Sequence, residues 1–212
     1  MKKRIAIIGA NGKQGSCLTD EAVERGHEVT GIVRHSCLKN RKAKLLQKDL
    51  FDLTADDLKN FDLVISAFGA WTAETIPQHI SSLRHLCDCL KGTGIRLLIV
   101  GGAGCLYTDS SHTLMLADSP QLPQEFKLLA QTEVQAFSEL KRRTDVLWTY
   151  LCPPADFRFD APKTGKYKIG GIELPVNSAG ESFISYKDFA AALIDEAEKG
   201  KFIQKHFSVV SG

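Results

Sequence analysis

The chain reads as short apolar runs separated by longer stretches with helical periodicity. Ile5-Ala6-Ile7-Ile8 is wholly apolar, and a turn with glycines at Gly9, Gly12 and Gly15 follows before a helical pattern begins. His27 to Val33 forms the second strand-like run and Ala43 to Lys48 the third. Thr54-Ala55-Asp56-Asp57 has the form of a capping box opening a short helix. Leu63-Val64-Ile65-Ser66-Ala67 is almost continuously apolar, as a parallel strand covered on both faces should be. Ile76, Ile80, Leu83, Cys87 and Leu90 recur at three- and four-residue spacing and predict a helix from about Glu74 to Lys91. Ile95 to Val100 predicts strand five, which ends in Gly101-Gly102-Ala103-Gly104.

An irregular stretch, 105–123, precedes a helix whose apolar face is Phe126, Leu129, Ala130, Phe137 and Leu140. Val146 to Leu151 is the sixth strand, closed by Cys152-Pro153-Pro154. The segment 156–182 is turn-rich, with short alternating pieces at Lys166 to Ile169 and Glu173 to Val176. Ser185 reads as an N-cap, the last helix runs to Lys199 with Gly200 as its stop, and Phe207 to Val210 is a final strand. This alternation predicts an α/β protein with one doubly wound parallel sheet, a single domain over residues 1–212.

In such sheets ligands bind beyond the carboxyl ends of the strands. The turn from Gly9 to Gly15 follows the first strand and opens the first helix, which is where a pyrophosphate meets unpaired N–H groups and a positive dipole end. A G-x-x-x-x-G-K-[ST] phosphate loop is excluded, because Gln14 follows Gly12-Lys13. The second strand ends at Arg34, 19 residues after Gly15, where an NAD-selective site places Asp or Glu. Here Arg34 and His35 stand instead, followed by Lys39, Arg41, Lys42 and Lys44. A guanidinium holds a 2′-phosphate bidentately, so the expected cofactor is NADP(H) in preference to NAD(H).

Composition narrows the classes. The 212 residues carry a formal net charge of +2 and are 43% hydrophobic, which suits one good core and no dedicated nucleic-acid or membrane surface. The basic start, Met1-Lys2-Lys3-Arg4, is followed by an apolar run that stops at Gly9, too short for a signal peptide, and the expected location is cytoplasmic. The six cysteines are then expected to remain thiols. His85, Cys87 and Cys89 look like a metal cluster, but positions two apart on a helix point about 200° apart, so Cys87 cannot converge with the other two and no metal is expected. The expected partner is a small-molecule acceptor, with monomer or dimer left open.

These motifs together resemble the atypical short-chain dehydrogenase/reductase superfamily, a Rossmann-like fold. The nearest branch is the one named for NADH-flavin reductases, related to NmrA-like proteins and biliverdin reductase B. The resemblance covers nearly the whole chain. It rests on Gly-x-x-Gly-x-x-Gly at 9–15, Val33-Arg34, Asp49-Leu50-x-Asp52, Ser66-Ala67-Phe68-Gly69 and Val100-Gly101-Gly102-Ala103-Gly104-Cys105-Leu106. It continues in Pro153-Pro154-Ala155, Thr164-Gly165-Lys166-Tyr167 and Ile184-Ser185-x-x-Asp188-Phe189-Ala190. The resemblance implies that Asn11, Gly12, Lys13, Gln14 and Gly15 cradle the phosphates. It places Arg34 at the 2′-phosphate, Asp49 and Leu50 beside the adenine, and Ala67, Phe68 and Gly69 along the ribose. The glycines after the fourth and fifth strands, Gly102 among them, suggest backbone close to the cofactor.

One departure from that superfamily bears on mechanism. Its usual Tyr-x-x-x-Lys acid/base pair is missing: none of Tyr107, Tyr150, Tyr167 and Tyr186 has Lys four residues on, and Phe126-Lys127 begins the helix where the pair would sit. This argues against alcohol dehydrogenase or epimerase chemistry and suits direct hydride transfer to a flavin or quinone-like ring, with flavin as substrate rather than prosthetic group. Tyr107, Ser110 and His112, just beyond strand five, are the candidates to touch the acceptor, and Phe157 and Phe159 to wall it. Trp71 and Trp148 read as packing, and Cys105 as a small buried thiol. The alternative to an enzyme is a non-catalytic NADP(H) sensor of the NmrA type. The irregular stretches 105–123 and 156–182 are expected to lie on the substrate side.

Overall fold

In the computed structural model, which describes residues 1–34 and 37–212, every long apolar run of the sequence becomes a strand of one eight-stranded sheet. Strand β1 (Arg4–Ile8) leads through α1 (Lys13–Glu24) to β2 (Glu28–Val33), and β3 (Lys44–Gln47) follows. After α2 (Ala55–Leu58) come β4 (Leu63–Ser66), α3 (Gln78–Leu90) and β5 (Arg96–Val100). Next are α4 (Gln124–Leu140), β6 (Leu147–Cys152), β7 (Asp156–Arg158), β8 (Tyr167–Ile169) and β9 (Phe183–Ser185). The chain closes with α5 (Tyr186–Lys199) and β10 (Lys205–Ser211). The sheet order is β3-β2-β1-β4-β5-β6-β10-β8. The order reverses between β1 and β4, which is the topological switch point where such sheets bind ligands.

The sheet is parallel except at one edge. β8 runs antiparallel to β10, pairing Tyr167 with Ser211 and Ile169 with Val209, which corrects the expectation of a wholly parallel sheet. A short return from the loop after β7 can only reach that edge antiparallel, since a parallel return needs a longer crossover. A second, two-stranded sheet of β7 and β9 has no counterpart in the sequence pattern. Glu173 to Val176 is not a strand, although Glu173 bridges to Tyr107. Helix α3 begins at Gln78 rather than near Glu74, because Pro77 disfavours helical geometry at Ile76.

Alternation along the strands divides the core between two faces. Ile5 and Ile7 of β1 face α1 and α5, packed with Leu18, Leu98, Phe189, Leu193 and Ile194. Ala6 and Ile8 face α3 and α4, packed with Leu86, Leu97, Ile99, Phe137 and Leu140. Phe137 lies at the centre of the second layer, with ring centroids 4.8 Å from Tyr150 and 4.6 Å from His206. Arg25, at the end of α1, pairs with Glu21 of that helix at 2.8 Å and ties it to α5 through Asp195 at 2.6 Å. Local signals are realised as the residues suggest: Thr54 and Asp57 form the reciprocal capping box, Ser185 caps α5, and Gly200 ends it in the left-handed region at φ 66°. No helix among the described residues is long and apolar enough to cross a membrane.

Candidate functional site

The turn after β1 is built by backbone alone. Gly9 has φ 74°, donates its N–H to Ile32 O at 3.0 Å, and accepts from the Gly12 N–H at 2.8 Å. A Cβ on Gly15 would stand 2.0 Å from Gly9 O, and one on Gly9 would stand 2.8 Å from Ala67 O. Neither neighbour can swing aside, so both positions need glycine. No side chain caps α1 at Gly12, and its first turn holds no acidic residue. The first-turn N–H groups therefore lack a side-chain partner, which fits an anionic phosphate ligand.

The side chains named from sequence are distributed around this turn. Asn11 binds the segment after β2 instead of standing free: it donates to Cys37 O at 2.7 Å and accepts from the Lys39 N–H at 3.1 Å. Gln14 is buried, donates to Tyr186 O at 3.2 Å, and leaves its Oε1 without a partner among the described residues. Lys13 is exposed, with its ammonium 5.5 Å from the Phe159 ring. Arg34 stands at the end of β2 with its side chain 74% exposed and Nε 4.0 Å from Asp49. Asp49 also accepts from the Phe51 N–H at 2.9 Å, while Leu50 turns into the α3/α4 core. His35 lies outside the described residues.

At the end of β4, Ala67 donates its N–H to Ile8 O at 3.0 Å, and Phe68 packs edge-on to His79 with centroids 5.4 Å apart. Gly69 is covered by Trp71, whose indole would stand 3.3 Å from a Cβ there. Trp71 is itself 72% exposed, so it lies over the strand end and not in packing, contrary to expectation. Phe126 is likewise exposed, because it belongs to the first turn of α4, which projects beyond the sheet.

The two glycines after β5 make room for side chains arriving from behind the turn. A Cβ on Gly101 would stand 2.1 Å from the Tyr150 ring, and one on Gly102 only 1.8 Å from Oε2 of Glu133. The Gly102 N–H is donated to the Tyr150 hydroxyl at 3.2 Å. Glu133, on α4, is the residue that reading the sequence missed. Its carboxyl lines a cavity of about 20 Å³ with Ser66, His79, Ser82 and Tyr150, directly beneath the ends of β4 and β5. Glu133 is half-buried, and desolvation pushes its carboxyl up to about 7 with no hydrogen bond or cation among the described residues to offset it. The signal was available: Ala130, Glu133 and Phe137 follow three- and four-residue spacing, placing a carboxylate on the apolar stripe of its helix.

The two irregular stretches are stitched to each other at Tyr107. Its N–H donates to Ile172 O at 2.9 Å, and its carbonyl accepts from the Leu174 N–H at 2.8 Å. The Tyr107 ring lies 5.0 Å from that of His112, which pairs with Glu173 at 2.9 Å. His112 is exposed with φ 54°, and Ser110 is exposed nearby in sequence. Asp109 accepts from the Thr113 and Leu114 N–H groups at 3.1 Å and 2.9 Å, and hydrogen bonds from Ser111 and these groups lower its pKa. The second stretch is anchored by buried Asp188, which accepts from the Thr164 and Gly165 N–H groups at 3.0 Å and 2.8 Å. Phe157 packs on Tyr186 at 3.9 Å and Phe189 at 4.8 Å, whereas Phe159 is exposed.

Cys37 is exposed, whereas the other five thiols are buried or half-buried. Cys105 is buried and pushed well up by desolvation. Cys87 faces the α3/α4 core, while His85 and Cys89 both bond to Leu53 O, at 2.9 Å and 3.4 Å.

An uncapped helix behind a glycine turn, at the switch point of a doubly wound sheet, defines a dinucleotide-binding protein. The model of the NAD(P)H-binding family matches residues 9–199, and the chain belongs to that family. It is 41% identical over 210 residues, 98% of either chain, to YwnB of Bacillus subtilis. Its structure resembles SP1627 of Streptococcus pneumoniae, described as a "putative NADH-flavin reductase", with TM-score 0.96 and 44% identity over 99% of this chain and all of that one. It also resembles a Bacteroides thetaiotaomicron protein described as a "putative epimerase", with TM-score 0.87 and 34% identity over 100% of this chain and 98% of that one.

Proposed function

We propose that this protein is an NADPH-dependent oxidoreductase that reduces a flavin or quinone-like ring by direct hydride transfer. The observation that carries the cofactor reading is Arg34: a 74% exposed guanidinium ends β2 where an NAD-selective site carries an acid. In this reading the N–H groups of residues 11–15 hold the phosphates and Arg34 meets the 2′-phosphate. Asp49 and Leu50 border the adenine, Ala67, Phe68 and Gly69 the ribose, and Gly102 the nicotinamide side. Bound NADPH supplies the hydride. The chain supplies orientation, with the acceptor stacked at about 3–3.5 Å, and closure by 105–123 and 156–182, where Tyr107, Ser110 and His112 lie.

The acceptor class follows from what the site lacks. Without Tyr-x-x-x-Lys, alcohol oxidation and epimerisation have no positioned base, whereas a delocalised ring takes hydride directly. The SP1627 description as a flavin reductase supports the same class. The test is rapid-mixing absorbance of purified protein with NADPH or NADH and excess FMN, FAD or a quinone, repeated with Arg34→Asp. Oxidation saturating in both substrates is expected, and Arg34→Asp should cost about 1.5–3 kcal/mol of NADPH affinity while sparing NADH. Equal loss for both nucleotides refutes the Arg34 assignment. Tight NADPH binding with no acceptor reduced would establish the sensor reading instead.

A further inference from the structure

Beneath the strand ends lies a polar pocket in an otherwise apolar layer. Glu133 of α4, Tyr150 of β6, His79 and Ser82 of α3 and Ser66 of β4 surround a cavity of about 20 Å³, enough for one water molecule. Gly102, in the turn after β5, has no Cβ to occupy the space 1.8 Å from Oε2 of Glu133, so the carboxyl lies against the backbone there. Half-burying a carboxyl that has no hydrogen-bond partner among the described residues costs stability that an apolar side chain on the same stripe would not. Reduction of a ring acceptor by two electrons gives the carboxyl a use. Hydride arrives from the nicotinamide, and one proton must come from elsewhere.

We propose that Glu133, through a water held in this cavity, supplies the proton for acceptor reduction. The inference rests on the reductase reading above. In the step, the Glu133 O–H bond breaks, its proton passes along the water to the reduced acceptor, and a new heteroatom–H bond forms there. NADPH is oxidised, the acceptor gains two electrons, and the carboxylate recovers a proton from solvent. Neighbouring groups leave the carboxyl room to do this. His79 from α3 is kept neutral by burial, Tyr150 and Cys152 from β6 and Cys105 from the turn after β5 are all pushed up, and none brings a cation. At the end of its own helix, the Lys141 ammonium lies 5.1 Å from the centre of the Phe137 ring. Desolvation raises this carboxyl to about 7, and a group in that range can both hold and release a proton.

Two measurements test the role. Infrared difference spectroscopy of the free protein should show a carboxylic-acid carbonyl band that disappears with a midpoint near 7 and is missing in Glu133→Gln. A band unaltered in Glu133→Gln overturns the proposal without reference to turnover. In steady-state assays with a quinone, Glu133→Gln should lower kcat about 100-fold, flatten its pH profile, and leave NADPH affinity unchanged, with Glu133→Asp restoring part of the loss. A Glu133→Gln protein with the parent's quinone kcat and pH profile overturns the proton role alone. Failure of the parent to reduce any acceptor overturns the reductase reading, and the proton role with it.

Discussion

Replacing Glu133 by Gln should make the protein more stable, and increasingly so as pH rises. The half-buried carboxyl is pushed by desolvation from its ordinary 4.5 up to about 7. Below 4.5 the folded and unfolded chains both hold the proton, and the site has no effect on pH dependence. Between 4.5 and about 7 the unfolded chain releases it while the folded chain retains it, so the unfolding free energy falls as pH rises. Above about 7 both are ionised, and the loss levels off. The interval corresponds to at most about 3 kcal/mol. Glutamine keeps the shape and cannot ionise, so the variant's advantage should grow across this interval and reach that ceiling in mild alkali. For a chain of this size, about 3 kcal/mol is roughly 6–12 °C in melting temperature. The assay is thermal or urea unfolding of both proteins across a pH series. A difference that is constant with pH, or a variant destabilised throughout, would refute the reasoning, because it would mean the carboxylate is ionised and satisfied in the fold.

Gly15→Ala should abolish NAD(P)H binding and cost about 2–4 kcal/mol of stability, since its Cβ would lie 2.0 Å from Gly9 O and only backbone could yield; fluorescence titration and melting curves read both, and retained affinity would refute it. Asp188→Ala should cost about 3 kcal/mol and expose 156–182 to limited proteolysis, because the Thr164 and Gly165 N–H groups lose their acceptor. Asp188→Asn keeps one acceptor oxygen and should cost roughly 1 kcal/mol, and equal proteolysis of parent and Asp188→Ala would show the anchor to be dispensable.

What could be read in the sequence was whatever depends on near neighbours in the chain. The capping box at Thr54 and Asp57 closes within three residues, and the strand runs announce themselves because both faces of the sheet are covered. The sheet edge was harder. β8 is three residues long with Lys168 and Ile169 exposed, so its place depends on the pairing with β10 and not on its own pattern. Trp71 and Phe126 were misjudged for a related reason: apolar character predicts burial only where a neighbouring element arrives to cover it, and both stand at the open ends of strands and helices.

The glycines show most clearly where sequence reasoning stops. A glycine after a strand says that space beside the backbone is taken, without saying by what. At Gly15 the occupant is the carbonyl of Gly9, six residues back, so the motif spacing already contains the explanation. At Gly101 and Gly102 the occupants are Tyr150 and Glu133, far along the chain and carried there by β6 and α4. The same residue type therefore does two jobs in one site. Near α1 it frees N–H groups for an anion, and after β5 it lets a half-buried acid approach the turn from behind. Only the second brings a titratable group beneath the strand ends, and its signal lies in the stripe of α4 and not beside the glycine. The carboxylate that interrupts the apolar stripe of α4 is thus the group that reaches the ends of β4 and β5 from behind.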